Sequence, residues 1–361
     1  MNTAQDLSDA TAKSLTLWSG ADVAKDWFDA ALWPVDQPID VREMRRLPVR
    51  RFARTAQGTT EFFAWAEAAL GATPRVVMEA TGSYSPQLAD WMLAQRPACQ
   101  PAIVNPRTAK NYIATLEPRN NTDPIAARAL ARYGVERAPA PYEPLTPERR
   151  ALRELTRYRV HVVEQRQAQQ LRLGEGVSDP VVRRMIADDV RRLKRQEKRL
   201  KDEIRVRAAN SPTLGRDIAL LRTIYGVDWI VAGTVVAELG DLRRFQRARQ
   251  LTAFAGLAAG RKESGKSVRG RARMCKMGSS TVRRALCMSA RCAVRGQNDW
   301  ADQYRRMVAE GKSKRSAEGA IMRKILVAMR AMLIGETAYQ PRHRAPVNNC
   351  QKGCAEKVHK T

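Results

Sequence analysis

A serine-bearing cationic loop and three isolated carboxylates are the residues of this chain best suited to chemistry. Two serines lie in Glu263-Ser264-Gly265-Lys266-Ser267-Val268-Arg269-Gly270, inside residues 261–295, where eleven Lys or Arg accompany one acid, Glu263. A Gly-punctuated basic loop can offer both an anion-binding surface and a hydroxyl nucleophile to a phosphate polymer. The same composition also describes a solvated basic segment that holds a phosphate backbone and does nothing further.

The carboxylates are Asp22, just past the apolar run 15–19, Glu79, which closes Val76-Val77-Met78, and Asp123, at the start of a helical pattern. Acids at strand ends and helix starts can converge on one edge of a sheet. There a pair of Mg²⁺ ions about 3.5–4 Å apart would clamp an in-line phosphoryl displacement. Each acid also has a plainer role. Asp22 can form a turn, Asp123 or Thr122 can cap a helix, and Glu79 can simply end a strand before Thr81-Gly82.

Alternating strands and helices must position these acids. Runs at 15–19, 27–33, 75–78 and 102–104 predict strands, and patterns at 60–70, 85–94, 107–116 and 124–133 predict helices. We expect an α/β domain over 1–140, and the Pro-rich stretch 138–147 reads as a linker. A helical or coiled-coil region over 141–212 follows, broken at Gly174, Gly176 and Pro180. Its stripe of Val182, Ile186, Val190, Leu193, Leu200 and Ile204 is buried either within one chain or against another subunit.

A mainly α domain is expected over 213–338. Residues 220–240, with Gly226 between two apolar halves, read as a helix-hairpin-helix with a phosphate-facing turn or as a simple αα-corner. An amphipathic helix over 317–333 would close this domain's core, and a polar tail occupies 339–361. In that tail Cys350 and Cys354, with His343 and His359, lack the usual spacing of a zinc site.

With 64 Lys plus Arg against 37 Asp plus Glu, the 361-residue chain carries a formal charge of +27. A polyanionic partner and steeply salt-dependent binding follow. No apolar run of membrane-spanning length is present, the start is not a secretory signal, and six scattered cysteines do not form a disulfide framework. These features predict a cytosolic protein.

Several segments together resemble a known family. Gly20-Ala21-Asp22-Val23-Ala24-Lys25, Glu79-Ala80-Thr81-Gly82-Ser83-Tyr84, Val104-Asn105-Pro106-Arg107 and the run 121–131 resemble the RuvC-like DEDD domain of the IS110 insertion-sequence transposases. Residues 245–256, Glu263-Ser264-Gly265, Ser267-Val268-Arg269-Gly270 and 276–286 are similar to that family's C-terminal transposase domain. The resemblance covers about 15–135 and 218–335, in the family's order.

The resemblance implies a RuvC/RNase H-like first domain and a recombinase of an insertion sequence. It implies cleavage and exchange of DNA strands through a 5′-phosphoserine link at Ser264, with Mg²⁺ held by Asp22, Glu79 and Asp123. Arg261, Lys262, Lys266, Arg269, Arg271, Arg273, Lys276, Arg283 and Arg284 would hold phosphates. The implied partners are double-stranded donor and target DNA, a structured noncoding bridge RNA that pairs with both, and further copies of the chain as a dimer or tetramer, in a prokaryotic cytoplasm at the nucleoid.

Where the family has a fourth acid, three residues after the third, this chain has Ala126, which cannot ligate a metal ion. The change can be an introduced one that traps a pre-cleavage state, the mark of a decayed copy, or one compensated by a nearby acid such as Glu117. We favour the first, because everything flanking Ala126 keeps the pattern. Tyr225-Gly226-Val227-Asp228 also departs from the family's usual turn by placing an acid there, and Asn121 stands where a Lys is common. Two other classes remain: a non-catalytic nucleic-acid-binding derivative, and a RuvC-like junction nuclease that uses water.

Overall fold

The computed structural model describes residues 17–33, 41–117, 122–260, 263–264, 268–269 and 273–341. They fall into two compact units, Met1–Pro144 and Leu145–Thr361. The tail residues His343, Cys350, Cys354 and His359, with Asn121, Arg261, Lys262, Lys266 and Arg271, lie outside the described residues.

The first unit is mixed α/β. In chain order it contains β1 (Trp18–Val23), β2 (Trp27–Trp33), α1 (Val41–Met44), β3 (Val49–Ala53), α2 (Ala56–Leu70), β4 (Arg75–Glu79), α3 (Tyr84–Gln95), β5 (Ala102–Val104), α4 (Pro106–Leu116) and α5 (Asp123–Arg137). The strands form one sheet in the order β3-β2-β1-β4-β5. The pairs β1–β2 and β2–β3 are antiparallel, whereas β1–β4 and β4–β5 are parallel. The hairpin β1–β2 needs only a tight turn, while the parallel neighbours need crossovers through helices.

Side chains alternate between the two faces of a strand, and the two cores show which residues go where. Ala21, Val23, Phe28, Ala30, Leu32, Phe52, Val76 and Met78 pack with Phe62, Phe63, Leu88 and Met92, the buried face of α2 and α3. Trp18, Ala31, Trp33 and Val77 pack on the other side with Ala127, Leu130 and Ala131 of α5. By the same alternation Asp22, Asp29, Arg51 and Glu79 all belong to the α5 face.

Gly20 sets how closely α5 lies on that face. A Cβ there would stand 2.1 Å from the Ala127 carbonyl oxygen and 2.2 Å from the Ala131 nitrogen. Gly134 does the same from the helix side, since a Cβ would stand 2.5 Å from Trp18 Cε3. Of the strand expected at 15–19, residues 15 and 16 lie outside the described residues, and β1 spans Trp18–Val23. It runs on through Gly20, which meets α5, and Ala21, which packs in the opposite core, so Asp22 lies within the strand and not beyond it.

The second unit is mainly helical: α6 (Pro147–Gly174), α7 (Pro180–Asn210), α8 (Gly215–Leu221), α9 (Trp229–Leu239), α10 (Ala248–Phe254), then β6 (Ala259–Gly260), β7 (Glu263–Ser264), β8 (Val268–Arg269), β9 (Arg273–Met274), and α11 (Ser280–Ala293), α12 (Asp299–Ala309) and α13 (Lys314–Gly335). Apolar almost throughout, α9 is buried along its length and lies in one core with residues of α6, α7, α8, α11 and α13. A helix hydrophobic on every side must be enclosed in this way. The helix expected at 317–333 is α13, which buries Ala317, Ile321, Ile325 and Met329 in that core.

Helices α6 and α7 form a hairpin whose turn ends at Asp179. That carboxylate accepts from the Val181 and Val182 nitrogens, capping α7. Of the apolar stripe, Val190, Leu193 and Ile204 are buried within the chain, whereas Val182 near the turn is exposed. Between the helices the buried Glu197 receives Arg159, Arg166 and Lys201 at 2.9, 3.1 and 3.1 Å.

Candidate active site

Strand register places four charged residues in one rank across the sheet. Arg51 on β3 pairs with Asp29 on β2, and Asp29 pairs with Asp22 on β1. Ala21 pairs with Met78 on β4, so Asp22 and Glu79 follow one residue later on the parallel strands. All four side chains share the α5 face, and Asp123 is the first residue of α5. Pro124 suits the first turn of that helix, and the helix dipole favours a carboxylate at its start.

The strand end at Glu79 is pinned from behind. Buried Ser85 donates to the Glu79 carbonyl at 2.5 Å and accepts from the Thr81 nitrogen at 2.9 Å. Gly82, at φ +52°, supplies the left-handed turn between them, a conformation glycine adopts without a Cβ clash.

Like charges in one rank repel, and burial adds to the effect. The Asp22 carboxyl is pushed up to about 6, first by burial, then by Asp123, Glu79 and Asp29. Burial also raises Glu79, against which the ammonium of Lys110 acts. Among the described residues neither Asp22 nor Glu79 carries an ion pair.

Arg51 answers the other end of the rank. Its Nε and Nη2 donate to the two carboxylate oxygens of buried Asp29 at 2.8 and 2.9 Å. The Nη2 atom is also 3.6 Å from Asp123 Oδ2, and the guanidinium lies 4.7 Å from the Trp27 ring centroid.

Glu117 does not join this group. Its carboxylate receives both Nε and Nη2 of Arg45, and that pairing holds it below the usual carboxylate range. Compensation of Ala126 by Glu117 is therefore not what the structure offers. Ala126 itself is buried and packs with Ile113 and Ala129. Asp29, which the sequence reading passed over, is the further acid in contact with the site. A lone carboxylate inside the apolar run 27–33 was its signal.

Among the described residues, no group of three or more His, Cys, Asp or Glu side chains stands close enough to hold a metal ion as placed. The acids are near enough to perturb one another, but not gathered around a point. The donor chemistry still fits a hard divalent cation, because the set is carboxylate oxygen only and the repulsion at Asp22 lacks a counter-charge.

In the second unit Ser264 lies in a short β-hairpin and not in an open loop. Its backbone pairs with Val268, and Glu263 pairs with Arg269. β6 pairs separately with β9. After β9 the chain packs tightly on α10, since a Cβ at Gly278 would stand 2.2 Å from the Phe254 carbonyl oxygen.

The expected phosphate contacts divide. Arg273 and Lys276 are exposed. The Nη1 of Arg283 instead donates to the Gly278 carbonyl at 2.6 Å, and Arg284 pairs with Glu164 at 2.6 Å. The turn at 225–228 does not have the role given to a helix-hairpin-helix. A Cβ on Gly226 would stand 2.7 Å from the Ser289 carbonyl oxygen, so that backbone is packed on α11. Asp228 caps α9 by accepting from the Val231 nitrogen at 2.8 Å.

No described helix is long and apolar enough to cross a membrane. Comparison with known proteins gives two family matches: an IS110 DEDD transposase model over residues 19–177, and the model described as "Transposase IS116/IS110/IS902 family" over residues 218–305. The chain is also similar to the "Pilin gene-inverting protein" of Moraxella bovis, 29% identical over 317 residues, which is 87% of this chain and 94% of the relative. The protein of that name from Moraxella lacunata matches to the same extent.

Proposed function

The chain belongs to the IS110 family of transposases, and from that membership we propose that it recombines DNA through a serine-linked intermediate, with Mg²⁺ held by the acidic rank. The single observation that carries this reading is that Glu79, on the same face of the sheet, and Asp123, at the start of α5, both stand near enough to Asp22 to raise its carboxyl. The sheet order and the helix start at Asp123 support a RuvC/RNase H-like assignment for the first unit.

In the proposed step Ser264 Oγ attacks the DNA phosphorus. The Oγ–P bond forms, the P–O3′ bond breaks, the serine proton is given up, and the departing O3′ is protonated. Reversal on a new 3′-hydroxyl reseals the strand and frees the serine, with the phosphodiester bond energy conserved. Mg²⁺, when bound, supplies charge that stabilises the phosphorane-like transition state. Asp22, Glu79 and Asp123 are the residues that would hold it. Arg273 and Lys276, with the basic residues flanking Ser264, position phosphates and carry no sequence information. Sequence choice is assigned to a bridge RNA paired with donor and target DNA, and strand exchange to a dimer or tetramer.

Ala126 favours a second reading, a derivative that binds nucleic acid without cutting it. A denaturing gel separates the two, using supercoiled plasmid with the element's ends, its noncoding RNA and Mg²⁺. An adduct that strengthens in Ala126→Asp and vanishes in Ser264→Ala supports the recombinase. Cleavage without an adduct points to a water-using nuclease, and RNA binding with neither product points to the binding derivative.

A further inference from the structure

The face of the sheet that carries the acids also carries three tryptophans, and they differ in exposure. Trp18 and Trp33 are 3% and 6% exposed in the core beneath α5, whereas Trp27 is 37% exposed. Its place in the sheet explains the difference. Trp27 opens β2 opposite Ala53 on β3, and β1 ends opposite Phe28, so neither neighbouring strand sets a large side chain beside the ring. Helix α5 starts at Asp123, next to Arg51, and runs over the other end of the sheet.

The open ring is nevertheless held. The Arg51 guanidinium lies 4.7 Å from its centroid, and Arg51 is itself fixed by two hydrogen bonds to buried Asp29. Its Nη1 has no protein partner among the described residues, and Lys25 is exposed in the turn just before Trp27. Two residues along a strand advance about 7 Å, so the ring follows Asp29 at that spacing on the same face, continuous with the acids. An exposed indole beside a fixed cation with a spare N–H group matches one nucleotide, the ring taking the base and the guanidinium the phosphate. Inside a duplex each base lies stacked between its neighbours, so only an unpaired base can lay its face on a side chain.

We propose that Trp27 is a stacking platform for one unpaired base of the DNA strand that reaches the acids, with the adjoining phosphate on Arg51 Nη1 and Lys25. This deepens the recombinase reading and rests on it for the choice of DNA, because the platform is continuous with the face on which strand cleavage is proposed. The strand is then single where it passes the acidic rank.

The test uses the full-length chain without divalent metal and a short oligothymidylate strand carrying one 5-iododeoxyuridine, whose irradiation joins the base to an aromatic ring stacked on it. Mass spectrometry of the adduct should place the link at Trp27, with none from the same strand in a duplex. Anisotropy at fixed salt should show Trp27→Ala binding the single strand about 5- to 100-fold more weakly, Trp27→Phe much less so, and the duplex unchanged. Backbone contacts hold both forms, so the ratio reads the base contact. A link only at other residues, or equal weakening of single strand and duplex, as expected if Trp27 merely braces Arg51, would overturn the proposal. So would a stronger link to a 5-iodouridine RNA strand. If Trp27→Ala does not fold by circular dichroism, the site of the link in the unaltered chain decides. A Ser264 adduct without a Trp27 link removes the platform and leaves the recombinase, whereas a Trp27 link with no Ser264 adduct does the reverse.

Discussion

Replacing Asp22 by Asn should make the protein more stable at neutral pH, the opposite of what most substitutions inside a strand do. The carboxyl titrates near 6 in the folded chain against an ordinary value of 3.8. The native state therefore holds a proton more tightly than the unfolded state between about pH 4 and 6. Over that window stability falls as pH rises, and the full cost is present above about 6. A gap of about two pH units at 1.36 kcal/mol each gives about 3 kcal/mol. Water still reaches the carboxyl, so about 1–3 kcal/mol is the working range.

Asn removes the charge while keeping the size of the side chain. Urea denaturation followed by tryptophan fluorescence suits the measurement, because Trp18, Trp27, Trp33, Trp65 and Trp91 of the seven tryptophans lie in the first unit. Without divalent metal the Asn protein should be more stable at pH 7.5, with the advantage shrinking toward pH 4. Adding Mn²⁺ should raise the stability of the unaltered protein and not that of the Asn protein, since a ligand stabilises only the state that binds it. A loss of stability at pH 7.5, or a difference that does not change with pH, would refute the electrostatic account of the rank.

Two other perturbations address the supports of each unit. Gly20→Ala should cost at least about 3 kcal/mol, at or beyond the usual overpacking range, because the new Cβ would meet the α5 backbone at 2.1 Å. Carbon-13 NMR should also find the Asp22 carboxyl titrating closer to its ordinary value, as Asp123 moves away with the helix. Asp217→Ala should destabilise the second unit, read from the helical circular dichroism signal in urea. Buried Asp217 receives both terminal nitrogens of Arg243 at 2.7 and 2.8 Å. A fully buried pair loses about 3–5 kcal/mol when one partner is removed, and about 2–3 kcal/mol is expected here because Arg243 keeps contact with water.

Much of the first unit was legible from periodicity. The run 27–33 is β2, and the patterns near 60–70, 85–94 and 107–116 are α2, α3 and α4. Strand β3 escaped because Val-Arg-Arg-Phe-Ala offers one deeply buried side chain, Phe52, and exposes its arginines. Edge strands are permitted such charge, so apolar alternation cannot find them. The partnership of Arg51 with Asp29 was hidden for the same reason, since it depends on register between strands and not on spacing within one.

Glu117 was considered for its nearness in sequence to Asp123, while Arg45, which takes it, lies 72 residues away along the chain. At 225–228 the glycine pattern allows either an offer of backbone N–H groups or a simple αα-corner. A positive φ at Gly226 serves close packing equally well, and sequence does not distinguish the two.

The four-strand rank also governs which insertions and deletions this chain can tolerate. Ala24, Lys25 and Asp26 connect β1 to β2, with the Ala24 nitrogen bonded to the Trp27 carbonyl at 2.9 Å. Removing one residue of 24–26 would slide β2 by one position and turn its side chains to the opposite face. Asp29 would then enter the aromatic core beside Phe52 and Phe62, and Phe28 would face the acids. Length changes in this hairpin should therefore survive selection for folding only in pairs, whereas single-residue changes are tolerable in 138–146, where no strand register is at stake.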